Sequence, residues 1–470
     1  MIRSLLVTAM LGVLCAKAPA AEDITVVPRI EGDWWTVAHN PDLGACTSDR
    51  QQPVDFAVWQ AADGVWQLWS CIRFTRLGGH TRLFYRWEGK NLTDHDWEPG
   101  GIAMEADPAL GEPPGGLQAP HVVRWNGLYH MAYGDWDHLC FATSEDGKRF
   151  TRRILANGQT GVFTEGPGQN TRDPVLLITR NRWHLYYTAF PRGKGYVFCR
   201  TSADLHDWSD SMIVAYGGRA GNHPFSCECP HVVETEPGLY HLFRTQMYGE
   251  GAQTSVYQSR NPYNFGIDDD HGFVCTLPVA APEIILHDGQ YYIAALLPSL
   301  QGIQIARLTF LAERAVPVFA FDSPEARAQW RVAEGELPNP FTASIRSNFY
   351  PPMQHFIGTA ELPGESVAHD ELVAVVESPE FIVEHSSYRL AVSGGIDEAR
   401  VYCALVDAET GALLWKTTGN GSNHFGNVRA EWQEFQGKRV RLRVVDQSTA
   451  AWGHINFGGL YAMLPIDKKP

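Results

Sequence analysis

The sequence predicts an all-β chain: a five-bladed β-propeller followed by a C-terminal β-sandwich of the jelly-roll type. Three observations predict it. A strand–turn–strand pattern recurs, a second turn signal recurs between its copies, and the pattern changes near residue 318. At 470 residues the chain also exceeds what one hydrophobic core usually organises, so two domains are expected.

The first element is the leader. MIRSLLVTAMLGVLCAKAPAAED sets Arg3 before an apolar run and ends it in Ala18-Pro19-Ala20, a small-x-small cleavage signal. This predicts a signal peptide over residues 1–21 and export, either to the periplasm or out of the cell. The apolar run is too short to span a bilayer, and no later segment is longer, so no membrane insertion is expected.

The propeller is expected over residues 22–317. Four copies of the repeat read APHVVRWNGLYHMAYG, RDPVLLITRNRWHLYYTA, ECPHVVETEPGLYHLFRT and APEIILHDGQYYIAALLP. Their prolines, Pro120, Pro174, Pro230 and Pro282, lie 54, 56 and 52 residues apart. A turn residue follows each proline: Gly127, Asn181, Gly238 and Gly289. An earlier fifth copy, VDFAVWQAADGVWQLWS, carries Phe56 at the anchor and Gly64 at the turn. Between copies, ATSEDGKRFTR, RTSADLHDWSD and YQSRNPYNFGI each close a strand on Ser, turn on polar residues and open the next strand on an aromatic. Units of roughly 50 to 65 residues built this way suit four-stranded blades. A solenoid would repeat over fewer residues, and no long helical periodicity supports an α/β barrel.

Residues 318–470 follow another pattern. ELVAVVESPEFIV, SYRLAVSGG and RVYCALVDAETGALLWKTTG are alternating strands without the anchor, as a sandwich requires. No charge run or low-complexity tract separates the two regions, so a short, fixed join is expected.

Composition narrows the function. A formal charge of -15 argues against nucleic acid as a partner. Eight cysteines remain after the leader, scattered through a large chain, so disulfides would be supplementary and several thiols are expected to be buried. Among them FSCECPH, residues 225–231, offers Cys227, Cys229 and His231, with His223 nearby, as metal ligands. No second cysteine pair with zinc spacing exists, and no metal is expected. On a regular strand both thiols would turn to one face and Glu228 to the other, leaving the cysteines in the blade packing.

The innermost strand of a blade lines the central channel, so residues at the anchors converge on one mouth. They are Asp55, His121, Asp173 with Arg172, Glu228 with His231, and Glu283. Carboxylates meeting over a funnel match glycosidic bond cleavage: one acid protonates the leaving oxygen, and one carboxylate attacks the anomeric carbon or activates water. A third carboxylate can hold sugar hydroxyls and, by its charge, raise the acid's pKa. Arg172 is expected to orient Asp173 or touch substrate. His121, His231 and Glu283 are expected on the rim, and Trp59 as a stacking platform for a sugar ring. An oligo- or polysaccharide is the expected partner. A lectin built on this propeller is the competing reading, and the joint presence of the three carboxylates weighs against it. No Gly-x-Ser-x-Gly elbow supports a serine hydrolase.

These residues carry a resemblance. RDP at 172–174 and ECP at 228–230 resemble two central signatures of glycoside hydrolase family 32, the β-fructosidases. Asp55 sits nine residues before Gly64, where that family's first signature places its acidic residue. ESPEFIV and AWGHINF resemble the family's appended sandwich, so the resemblance spans nearly the whole mature chain. It implies Asp55 as nucleophile, Asp173 as transition-state stabiliser and Glu228 as general acid/base. The implied reaction is cofactor-free, retaining cleavage of furanosidic bonds of the fructan or sucrose kind. Blade one departs from the pattern: QPVDFAVW lacks the family's Asn, Pro and Gly. Other furanosides therefore stay open, as does the related family 43, in which arabinan- or xylan-type bonds are cleaved with inversion.

Overall fold

The computed structural model describes residues 24–346, 351 and 353–466. The expected leader at 1–21 lies outside the described residues. β1 (Ile24–His39) is the outer strand of the last blade, and blade one follows as β2 (Gln52–Gln60), β3 (Trp66–Arg73), β4 (Leu83–Gly89) and β5 (Glu98–Met104). Blade two is β6 (Gln118–Trp125), β7 (Leu128–Gly134), β8 (Leu139–Ser144) and β9 (Thr151–Arg152). Blade three is β10 (Arg172–Thr179), β11 (Arg182–Ala189), β12 (Tyr196–Ser202) and β13 (Met212–Ala215). Blade four is β14 (Glu228–Glu236), β15 (Leu239–Met247), β16 (Gln253–Ser259) and β17 (Phe273–Leu277). β18 (Glu283–His287), β19 (Gln290–Leu296) and β20 (Gly302–Phe319) make the fifth, with β1 on the far edge of β20. All pairings are antiparallel. The inner strands pack β2 to β6 to β10 to β14 to β18, and β18 returns to β2, which closes a ring of five blades.

The blades form because β-branched and aromatic residues alternate with small ones and fill the gaps between neighbouring sheets. Leu68, Trp69, Cys71, Phe84, Tyr129, Met131 and Tyr133 belong to one buried cluster joining blades one and two. Leu176, Leu185 and Tyr187 with Leu139 and Phe141 join blades two and three. Phe243, Val256, Ile293 and Leu308 join blades four and five.

The C-terminal region holds the α-helix α1 (Pro324–Ala328), capped by the Ser323 hydroxyl, and then two layered sheets. One sheet comprises β21 (Arg331–Gly335), β24 (Ala374–Glu377), β30 (Arg439–Asp446), β27 (Val401–Asp407) and β28 (Leu413–Thr417), with β25 (Phe381–Ile382) added on β30. The other contains β22 (Phe341–Thr342), β23 (Phe356–Gly358), β31 (Ile455–Pro465), β26 (Ser387–Gly394) and β29 (Ser422–Glu431). Val376, Leu405, Leu442 and Val444 from the first meet Tyr388, Leu390, Phe457 and Leu460 from the second in one apolar core.

The expected change at 318 falls inside β20. Residues 303–308 of this strand pair with β19, and residues 313–319 pair with β31 on the same edge. One continuous strand therefore serves both regions, and no linker stands between them.

Candidate active site

Each inner strand bends at the same place. Asp55, Ala119, Asp173, Cys229 and Ala281 immediately precede the five anchors, and all have positive φ, between 37° and 54°. Pairing slips at this point in blades one to four, between Val54 and Phe56, Gln118 and His121, Arg172 and Val175, and Glu228 and His231. These are β-bulges, which break the two-residue alternation and re-aim side chains. Neighbours in sequence can then share the mouth: Arg172 with Asp173, and Glu228 with Cys229. Phe56, Pro120, Pro174, Pro230 and Glu283 line a narrow cavity there with Asp55, Asp173 and Cys229. The centre of a water molecule reaches about 20 Å³ of it, room for roughly one water.

The structure brings Asp55, Asp173 and Glu228 together as the sequence predicts. Asp55 and Asp173 each place a carboxylate oxygen within 4.8 Å of the other and of the Cys229 sulfur. Arg172 ties the second acid to the third: Nη2 donates to Glu228 Oε1 at 2.7 Å, and Nε lies 3.6 Å from Asp173 Oδ2. Nη1 donates to the Asn170 carbonyl at 3.0 Å. Arg172 thus gives two of its donors to protein acceptors and lies against two carboxylates. Asp173 Oδ2 accepts the Cys229 amide at 3.0 Å, while its Oδ1 has no hydrogen-bond partner. Burial, reinforced by the Asp55 and Glu228 charges and opposed by Arg172, pushes the Asp173 carboxyl up to about 7.

Cys229 corrects the alternation argument. Its sulfur lies 3.1 Å from Asp55 Oδ1 and 3.3 Å from the Tyr248 hydroxyl, inside the site rather than in the blade. The bulge is the cause. Cys227 does turn away, with its thiol donating to the Gly195 carbonyl at 3.2 Å. Among the described residues no three of His223, Cys227, Cys229 and His231 gather as a ligand set, and the eight cysteines stand as free thiols.

His121, His231 and Glu283 converge on one another, and Glu283 also lines the cavity at the mouth. The two rings lie 5.8 Å apart, both buried, with His231 Nδ1 3.6 Å from Glu283 Oε2. The cluster has the composition of a metal site but the wrong hydrogen bonding. Leu176 N–H donates to His121 Nδ1 at 3.2 Å, and Ile284 N–H donates to His231 Nε2 at 3.4 Å. Each ring then carries its proton on the other nitrogen, whereas a metal-bound imidazole needs an acceptor, not a donor, opposite its free nitrogen. Burial and the facing His231 push His121 down to about 3, so it stays neutral.

Trp59 is no sugar platform. It is buried, packs against Trp69 and Phe150, and donates from Nε1 to the Gly147 carbonyl at 2.8 Å. Three residues past the anchor, the strand has already run down into the blade.

Other groups at the mouth escaped sequence reasoning. Arg82 lies 3.7 Å from Asp55 Oδ2 and 5.2 Å above the Trp136 ring, which stacks on His80 at 3.9 Å. The loop that holds it needs glycine: a Cβ on Gly115 would come within 2.7 Å of the Thr81 nitrogen. On the opposite side, Phe190 and Phe225 flank the Arg172 guanidinium at 5.6 and 5.9 Å. A repeat signal for several of these exists. Phe74, Trp136, Phe190 and Tyr248 each follow the second strand of their blade within two residues, at the end where the inner strand begins.

No family model matches the chain, and no curated protein matches it. Among solved structures it is similar to an exo-1,5-α-L-arabinanase from a bovine ruminal metagenomic library, at 16% identity and a TM-score of 0.40, over 56% of this chain and 93% of that one. It is similar to a family 32 β-fructofuranosidase from Bombyx mori, at 14% identity and a TM-score of 0.39, over 93% and 95%. It is also similar to an exo-β-1,3-galactanase from Phanerochaete chrysosporium, at 10% identity and a TM-score of 0.38, over 93% and 99%. At these identities and TM-scores the likeness is distant.

Proposed function

We propose that the protein is an exported glycoside hydrolase that cleaves furanosidic bonds of the fructan or sucrose kind with retention of configuration. One observation carries this reading: three carboxylates from three inner strands meet at one narrow mouth, two of them linked by a buried arginine. In the proposed reaction Asp55 attacks the anomeric carbon. Its two oxygens face the Cys229 thiol and the Arg82 guanidinium. Glu228, the more exposed of the Arg172-linked pair at 19% against 3% for Asp173, protonates the leaving oxygen and later activates water. Asp173 receives sugar hydroxyls as charge develops on the ring.

The test is a screen of sucrose, fructans, arabinans, xylans and matching 4-nitrophenyl glycosides, with Glu228→Gln as control. Turnover of a furanoside that falls by about 10²–10⁴-fold in Glu228→Gln supports the assignment. Activity surviving that substitution overturns it. Binding without turnover would show a lectin, and product anomer analysis by NMR separates retention from inversion.

A further inference from the structure

We propose that Cys229 is a positioning residue whose thiol, anchored by Tyr248, holds the Asp55 carboxylate in the orientation that attack requires. The inference rests on the reading of Asp55 as nucleophile. Cys229 occupies the repeat position that carries Asp55 in blade one and Asp173 in blade three, with alanine at the same place in the other two blades. It is therefore the third polar side chain that the shared bulge aims into the mouth.

The hydrogen-bond direction follows from chemistry. An ionised carboxylate only accepts, so the thiol donates to Asp55 Oδ1 across 3.1 Å, and the Tyr248 hydroxyl then donates to the sulfur across 3.3 Å. Both donors keep their protons. Burial, together with the Asp55, Asp173 and Glu228 charges, pushes the Cys229 thiol well up, and the same surroundings push Tyr248 up.

Asp55 is faced from every side by named groups. Arg82 approaches Oδ2 from the loop before β4, Cys71 stands behind Arg82 on β3, and Asp173 lies on β10. Glu228 and Cys229 come from β14, and Tyr248 from the end of β15. Removing the thiol leaves Oδ1 without this partner, with Arg82 facing Oδ2 alone, and frees the carboxylate to rotate.

The first arm of the test needs no substrate. The S–H stretching band of Cys229, identified in the infrared difference spectrum against Cys229→Ser, shifts in Asp55→Asn. A band unmoved by Asp55→Asn overturns the proposal. The second arm uses whichever of sucrose or 4-nitrophenyl α-L-arabinofuranoside the protein turns over. Cys229→Ala lowers kcat about tenfold with KM within twofold, and Cys229→Ser, which keeps a donor, restores most of kcat. A kcat for Cys229→Ala within twofold of the native value overturns the proposal. Should Cys229→Ala fail to fold by circular dichroism, Tyr248→Phe substitutes for it, with a smaller loss of kcat and the same overturning result. An inactive protein with an Asp55-dependent band overturns the proposed function and leaves the hydrogen bond standing. An active one with an unmoved band does the reverse.

Discussion

Asp173 is 3% exposed, and one of its oxygens has no partner, which makes its proton unusually hard to remove. With the carboxyl pushed up to about 7, a step near neutrality is expected in the pH profile of kcat/KM. Asp173→Asn is expected to abolish that step in a rate titration. Linkage gives a second readout. The folded chain keeps this proton between roughly pH 4, where an unfolded Asp loses it, and about 7. The contribution of Asp173 to stability therefore falls as pH rises through that window and is flat above it. Urea unfolding is expected to show Asp173→Asn gaining on the native chain from pH 4.5 to 7.5 and no further. The three acids were legible in the sequence because anchors repeat and carboxylates are conspicuous at them. Cys229 was not, because alternation assumes a regular strand, and one residue with φ of 43° undoes it.

At the level of the strand, the bulge before each anchor is what turns a blade into a supplier of chemistry. Past the bulge, pairing resumes and alternation holds again, so residues a few positions on return to packing. Trp59 marks this boundary. Trp59→Ala is expected to cost about 3–5 kcal/mol in thermal or urea unfolding, as other large core truncations do, while KM of the surviving fold stays within twofold. A large rise in KM at unchanged stability would instead restore the platform role. The aromatics that do surround the mouth follow second strands, and their spacing is regular enough to have been found. No recurring proline marks them as one marks the inner-strand anchors. Arg82 had no such signal: it sits in a loop whose path depends on Gly115, and loop paths are not periodic.

For the whole molecule, the change of pattern expected at 318 falls inside a strand. β20 carries partners of both regions on one edge, and Glu313 on it is buried and accepts both Arg429 Nη groups from β29, at 2.7 and 3.0 Å. A chain ended at Pro317 would leave this acid only Arg29, 3.5 Å away, and part of the strand edge unpaired. Such a truncation is expected to be aggregated by size-exclusion chromatography or to unfold well below the full chain. The join was illegible because nothing in composition distinguishes a strand that ends from one that changes partners. The ring itself closes by pairing β1 with β20, Ile24 opposite Arg314. That arrangement imposes a timetable. The first strand to leave the ribosome is among the last to find its partner, so Thr25, Val26 and Val27 wait with unmet backbone groups until almost three hundred later residues have been made. Pulse-labelled hydrogen exchange during refolding is expected to find the β1 amides protected last, after those of blades two and three. A chain with such a timetable gains from crossing a membrane before it folds, and the expected leader would provide that delay.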